Sequence, residues 1–212
     1  MKQRTNQILY SYWNEVRGNR IAPRRFDIEP ARIAAILPET FILEHNGAAS
    51  FRFRLAGTRI CEQFGHELRH RNFLDLIPGV ERYTLEYELG IVALRAAVSL
   101  SEFEISLRSG DSARCEVLIL PLADPRDAVT RFLGAMSCSG THDRLDPFPI
   151  AIRSLIRHEL IWPDGRPQLP YERAHRQPPL PPHTSPSRIV KAQRRQFLVF
   201  EGGRSDSPSH KP

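Results

Sequence analysis

Apolar and polar positions first alternate with a helical period. In residues 3–18, Ile8, Leu9, Tyr12, Trp13 and Val16 fall on one side with polar residues between them, which predicts an amphipathic helix ending at Gly18. Pro30 to Leu37 predicts a second, short helix: Pro30 suits a first turn, Ile33, Ala34, Ile36 and Leu37 form its apolar side, and Pro38 stops it.

The period then drops to two. Phe41-Ile42-Leu43-Glu44, a turn at His45-Asn46-Gly47 and Phe51-Arg52-Phe53-Arg54-Leu55 read as a β-hairpin with Phe51, Phe53 and Leu55 on one face. Thr58 is placed to cap a short helix through Phe64, and Leu68 to Ile77 predicts another before Pro78-Gly79. Residues 80–97 form the longest helix candidate, with Tyr83, Tyr87, Ile91, Leu94 and Val98 near one stripe. Alternation returns in Phe103, Ile105 and Leu107, then in Arg114 to Pro121 and Arg131 to Ser139. Strands joined by tight turns pair antiparallel, so the order predicts the α+β class, an antiparallel sheet with helices on one face.

Past Thr141 the pattern weakens. Residues 150–162 predict an amphipathic helix with Ile152, Leu155, Ile156 and Leu160 on one side. Residues 163–187 are dense in Pro and basic residues and read as extended. A last apolar island, Phe197-Leu198-Val199-Phe200, precedes Glu201-Gly202-Gly203 and reads as a docking strand or peptide.

The charge follows this division. The 212 residues carry 30 Lys plus Arg and 24 Asp plus Glu, a net charge of +6. Residues 1–144 hold 19 basic and 18 acidic side chains, whereas 145–212 hold 11 and 6 together with 12 of the 18 prolines. A nearly neutral folded part disfavours a nucleic-acid-binding core, and any contact with nucleic acid or anionic lipid falls to the basic tail. The expected organisation is an N-terminal helical extension (1–38), a globular domain (39–144) and a Pro/Arg-rich, largely disordered tail (145–212). No apolar run has the length of a membrane span and the N-terminus lacks a signal-peptide pattern. Three widely spaced cysteines, Cys61, Cys115 and Cys138, read as buried thiols of a cytoplasmic protein.

Several stretches resemble the PAS superfamily, in particular the PAS-like proteins of alphaproteobacteria. They are Tyr12-Trp13 in the first helix, Pro30-Ala31-Arg32-Ile33 leading to Leu37-Pro38-Glu39-Thr40-Phe41-Ile42-Leu43, Phe53-Arg54-Leu55-Ala56-Gly57-Thr58 with Phe64-Gly65, and the ending Val199-Phe200-Glu201-Gly202-Gly203-Arg204. The resemblance covers about residues 8–140. It implies a five-stranded antiparallel sheet with short helices and one long helix across a face, a ligand or partner in the concavity, and a homodimer formed through the N-terminal helix. On that reading Phe64, Phe73, Tyr83, Tyr87, Ile91 and Met136 surround the concavity, as a ligand pocket or as plain core.

One catalytic pattern stands out. His66-Glu67-Leu68-Arg69-His70 fits H-E-x-x-H, in which two His one helical turn apart hold zinc and the Glu acts as general base. Gly65 directly before it and Arg69 within it weaken the motif, which wants a long, well-packed helix, and the PAS resemblance implies a short exposed helix here. The same resemblance makes His66 or His70 a candidate haem ligand, with a solvated surface histidine as the plain alternative, and the sequence itself requires no cofactor. In the tail, Arg176 to Pro182 fits R-x-x-P-x-x-P, the form taken by Pro-rich ligands of SH3-type grooves, and equally a plain linker. The leading expectation is a non-enzymatic sensory or regulatory signalling protein that binds a small ligand or an unidentified signalling protein. A metal-dependent hydrolase using His66, Glu67 and His70 and a basic-tail adaptor are the alternatives.

Overall fold

The computed structural model describes residues 1–47, 49–107, 110–139 and 149–165. The chain divides into two units, Met1–Pro170 and Tyr171–Pro212, and the second lies outside the described residues, as do the R-x-x-P-x-x-P stretch and the Phe197–Phe200 island. Among the described residues, three α-helices, α1 (Arg4–Arg17), α2 (Thr58–Phe64) and α3 (Glu81–Arg95), accompany six strands: β1 (Thr40–His45), β2 (Phe51–Ala56), β3 (Val98–Ser106), β4 (Ser112–Ala123), β5 (Val129–Cys138) and β6 (Ala151–Ile161). Pro30–Glu39 and Phe73–Leu76 are 3-10 helices. The strands form one antiparallel sheet in the order β2-β1-β5-β4-β3-β6. The fold is the expected α+β arrangement with six strands where five were expected.

The sixth strand replaces the helix predicted over 150–162. In β6, Leu155 pairs with Phe103 and Arg157 with Glu102, so Ile156 is left over, and Ile152 pairs with Ile105 while Ser154 pairs with Glu104, so Arg153 is left over. Two bulges stretch the period-two spacing of Ile152 and Leu155 to three, which imitates a helix in the sequence. The sheet therefore continues past residue 144, where the tail was expected to begin.

Helices cover both faces of the sheet rather than one. On the front, α2, α3 and Phe73–Leu76 pack with Phe41, Phe53, Phe103, Val117 and Met136. On the back, Leu9, Tyr12 and Trp13 of α1 and Ile33 and Ile36 pack on Leu100, Leu118, Leu120, Leu122 and Leu133. The two-sided cover explains why β4 reads as a continuous apolar run: Val117 and Ile119 face the front while Leu118 and Leu120 face the back.

Polar contacts fix α1 to that back face. The carboxylate of Glu116 on β4 accepts the backbone N–H groups of Lys2 (2.9 Å) and Gln3 (3.1 Å) and the side-chain amide of Asn6 (2.9 Å), satisfying donors at the helix entrance. Trp13 Nε1–H donates to the Pro121 carbonyl at 2.9 Å, and Thr5 donates to Glu39. At the other end, Arg17 binds Asp164 (2.8 Å), just after β6.

Local expectations were met unevenly. Thr58 is the first residue of α2 and its side chain does not cap; Gly57 takes that position, and a Cβ there would collide with the carbonyl oxygens of Pro38 and Leu37. Helix within 68–77 is confined to Phe73–Leu76, because the Phe53 N–H donates to the Arg71 carbonyl (2.9 Å) and the His70 N–H to the Phe53 carbonyl (2.7 Å), laying residues 70–72 along β2. Pro38 sits inside the 3-10 turn that ends at Glu39 instead of stopping it at Leu37. Val98 lies beyond α3, which ends at Arg95 with Ala96 (φ 50°) as its C-cap, and opens β3.

Candidate functional site

The front of the sheet is filled by the chain itself. The rings of Phe41 and Phe53 meet edge to face at 5.6 Å between centroids, Phe41 stacks on Phe73 at 6.1 Å, and Phe53 meets Phe73 at 6.0 Å. Phe41 lies over Gly134, where any side chain would overlap its ring. Of the six residues expected around the concavity, Phe64, Phe73 and Met136 are buried in this cluster. The other three are not brought to it: Tyr83 and Tyr87 are 71% and 73% exposed and Ile91 is half-buried.

The difference is one of phase on α3. Leu85, Leu89 and Val92 are the buried apolar positions, not Tyr83, Tyr87 and Leu94. Both stripes have helical spacing, so periodicity alone does not choose between them. The buried stripe carries Glu88, whose carboxylate meets His158 of β6 and accepts from Ser99 Oγ at 3.4 Å, and Arg82 pairs with Asp75 at 2.9 Å. Together with the packing of Leu85, Leu89 and Val92 in the core, these contacts leave the second stripe facing outward.

That outward stripe is the candidate site. Tyr83, Glu86, Tyr87, Gly90, Ile91 and Leu94 line a groove of about 390 Å³ open to solvent. Leu94 is 68% exposed and Val80, just before α3, is 74% exposed. Gly90 forms the floor. Glycine in a helix interior costs about 1 kcal/mol relative to alanine, yet a Cβ at position 90 would meet no atom within 4 Å. The chain's own packing thus gives no reason for glycine here. Single exposed apolar residues are ordinary, whereas a contiguous aromatic and aliphatic stripe marks a surface for contact. Sequence reading missed Gly90 and Glu86 and put Leu94 on the wrong side; the available signal was a mid-helix glycine in a helix with apolar residues on both sides.

The H-E-x-x-H residues do not form a metal centre. They follow the end of α2 at Phe64 in an irregular turn in which His70 has φ 69°, so His66 and His70 do not share a helical face. The Glu67 carboxylate is engaged instead by the Arg69 backbone N–H (2.9 Å), which holds it below the usual carboxylate range with help from the Cys61 thiol. No group of three or more His, Cys, Asp or Glu among the described residues is arranged to hold a metal ion. Cys115 and Cys138 face each other across β4 and β5 with their sulfurs 2.8 Å apart, and burial pushes the Cys115 thiol well above its ordinary range, further raised by Cys138. Both act as core residues. No helix among the described residues is long and apolar enough to cross a membrane.

Comparison with known proteins bears on the fold. A family model described as PAS domain matches residues 1–137. No curated protein matches the chain. Among solved structures, the Rhodobacter sphaeroides LOV protein is similar at 12% identity over 55% of this chain and 71% of that one, with a TM-score of 0.40. The light-state structure of the blue-light photoreceptor Aureochrome1 LOV is similar at 12% identity over 54% and 90%, with a TM-score of 0.39. The PAS domain of an HTR-like protein from Haloarcula marismortui is similar at 16% identity over 51% and 89%, with a TM-score of 0.35.

Proposed function

The chain belongs to the PAS domain family, and from that premise we propose that it is a non-enzymatic sensory or regulatory module that signals by docking a protein on the outward face of α3. The observation that carries this reading is the contrast between the two sides of that helix. Its inner side meets a front face packed with Phe41, Phe53 and Phe73, which leaves their volume to side chains rather than to a small ligand. Its outer side presents two tyrosines and Leu94 to water beside an open groove.

The coupling is mechanical. Glu88 and His158 link α3 to β6, so a partner that prefers one seating of α3 biases the sheet edge through the same helix. The thiols of Cys61 and Cys115 suit a reducing, cytoplasmic setting. The test is a photo-crosslinking residue placed at Tyr87 of the full chain in cells, with the same residue at Ile8 on the exposed side of α1 as control. A discrete protein adduct from position 87 alone is expected. No adduct at 87, together with a bound small molecule in native mass spectrometry, overturns the reading in favour of a ligand sensor.

A further inference from the structure

We infer that the partner on α3 is a second copy of this chain, packed antiparallel across a two-fold axis; the inference rests on the docking role proposed above. The apolar stripe of α1, where a dimer was expected, is already used, with Leu9 and Trp13 fully buried against the sheet of the same chain. On α3 the outward positions Tyr83, Tyr87, Gly90 and Leu94 are spaced four, three and four residues apart, a pattern that reads the same from either end. An antiparallel copy centred between Glu88 and Leu89 therefore sets Tyr83 beside Leu94 and Tyr87 beside Gly90, twice over. Each large ring then meets an aliphatic side chain or a notch. A parallel copy sets ring against ring and notch against notch, which leaves a void at the glycines. Self-complementarity of one patch is what a two-fold interface demands, and it supplies the reason for Gly90 that the chain's own packing lacks.

The area agrees with a modest dimer. Tyrosines of roughly 200 Å² each, exposed by 71% and 73%, together with Leu94 and Val80 exposed by 68% and 74%, offer on the order of 500 Å² per copy. The total of about 1,000 Å² is the lower bound for a specific interface. Arg82, paired to Asp75, and Glu86 give it a polar rim.

Sedimentation velocity of the full chain from about 5 to about 500 µM tests this. A reversible monomer–dimer equilibrium with a dissociation constant on the order of tens of micromolar is expected. Tyr87→Arg weakens it by at least about tenfold, and so does Gly90→Leu, which fills the notch while favouring the helix. Ile8→Arg on the exposed side of α1 leaves it unchanged. A chain that stays monomeric across the range overturns the inference, and so does a dimer that survives both α3 variants. A monomer that still gives an adduct with another protein from position 87 overturns the second-copy assignment alone and leaves the docking role standing.

Discussion

The ring of Phe41 occupies the space that any side chain at Gly134 would need, with the Leu118 carbonyl oxygen closing the same site from 2.8 Å. This pairing, across the β1–β5 register of Phe41 with Gly134, seats the phenylalanine cluster on the front of the sheet. Gly134→Ala should destabilise the fold by about 2 kcal/mol through overpacking. In combination with Phe41→Leu much of that penalty should disappear, and a double-mutant cycle from urea unfolding reads the coupling directly. Additive effects would mean that the two positions do not compete for space.

The anchoring of α1 makes a separate prediction. Glu116→Ala leaves the Lys2 and Gln3 amides and the Asn6 side chain without their acceptor and should cost about 2 kcal/mol. Hydrogen exchange should speed up first in Arg4–Arg17, with the β4–β5 amides still protected. Uniform loss of protection would show that α1 is not an independently released element.

Acid should weaken the fold as well. The Arg131 guanidinium holds the Glu44 carboxyl below the usual carboxylate range. At Glu102 burial works in the opposite direction, but Lys2 and Arg114 outweigh it and the net direction is again downward. A carboxyl whose folded value is depressed stabilises the fold above its unfolded value, and that stabilisation disappears as the pH falls through the folded one. Thermal stability should be flat near neutrality and decline below about pH 4.5. Glu102→Gln should make the decline shallower; an unchanged acid limb would remove Glu102 from the account.

The rotation of α3 is open to direct measurement. Leu85→Ala on the buried stripe should destabilise by about 3 kcal/mol. Tyr87→Ser on the outer stripe, measured below the concentration of self-association, should stay within about 0.5 kcal/mol of the parent. Comparable losses at both positions would mean that the tyrosine stripe faces the core after all.

How much of this was legible in the chain depends on how each residue is paired or covered. The hairpin of β1 and β2, the strands β3 to β5 and the helices α1 and α2 follow from spacing, because most of their apolar residues face one core at a regular period or run continuously between two; Leu55 and Ile8, expected on the apolar sides of β2 and α1, are exposed instead. The β6 strand was misread because the bulges at Arg153 and Ile156 break the two-residue period that identifies a strand. The candidate site was misread for a different reason. The two stripes of α3 are both apolar, and which one turns inward depends on contacts distant in sequence: Leu85, Leu89 and Val92 join the core built by the other elements, and Glu88 meets His158 of β6. Residues 66–70 carry a familiar local pattern, yet the His70 N–H donates to the Phe53 carbonyl and the Phe53 N–H to the Arg71 carbonyl, which lays that segment along β2 instead of in a helix.

Those bulges also bear on how the protein survives at high concentration. Residues 70–72 line the β2 side of the sheet, so among the described residues β6 is its open edge. An uncovered edge strand of 11 residues invites strand-by-strand growth into aggregates. Here the two unpaired residues twist that edge out of register with any incoming strand, and Arg153 and Arg157 add charge along it. Straightening β6 by deleting Arg153 and Ile156 would thus trade solubility for a better ladder.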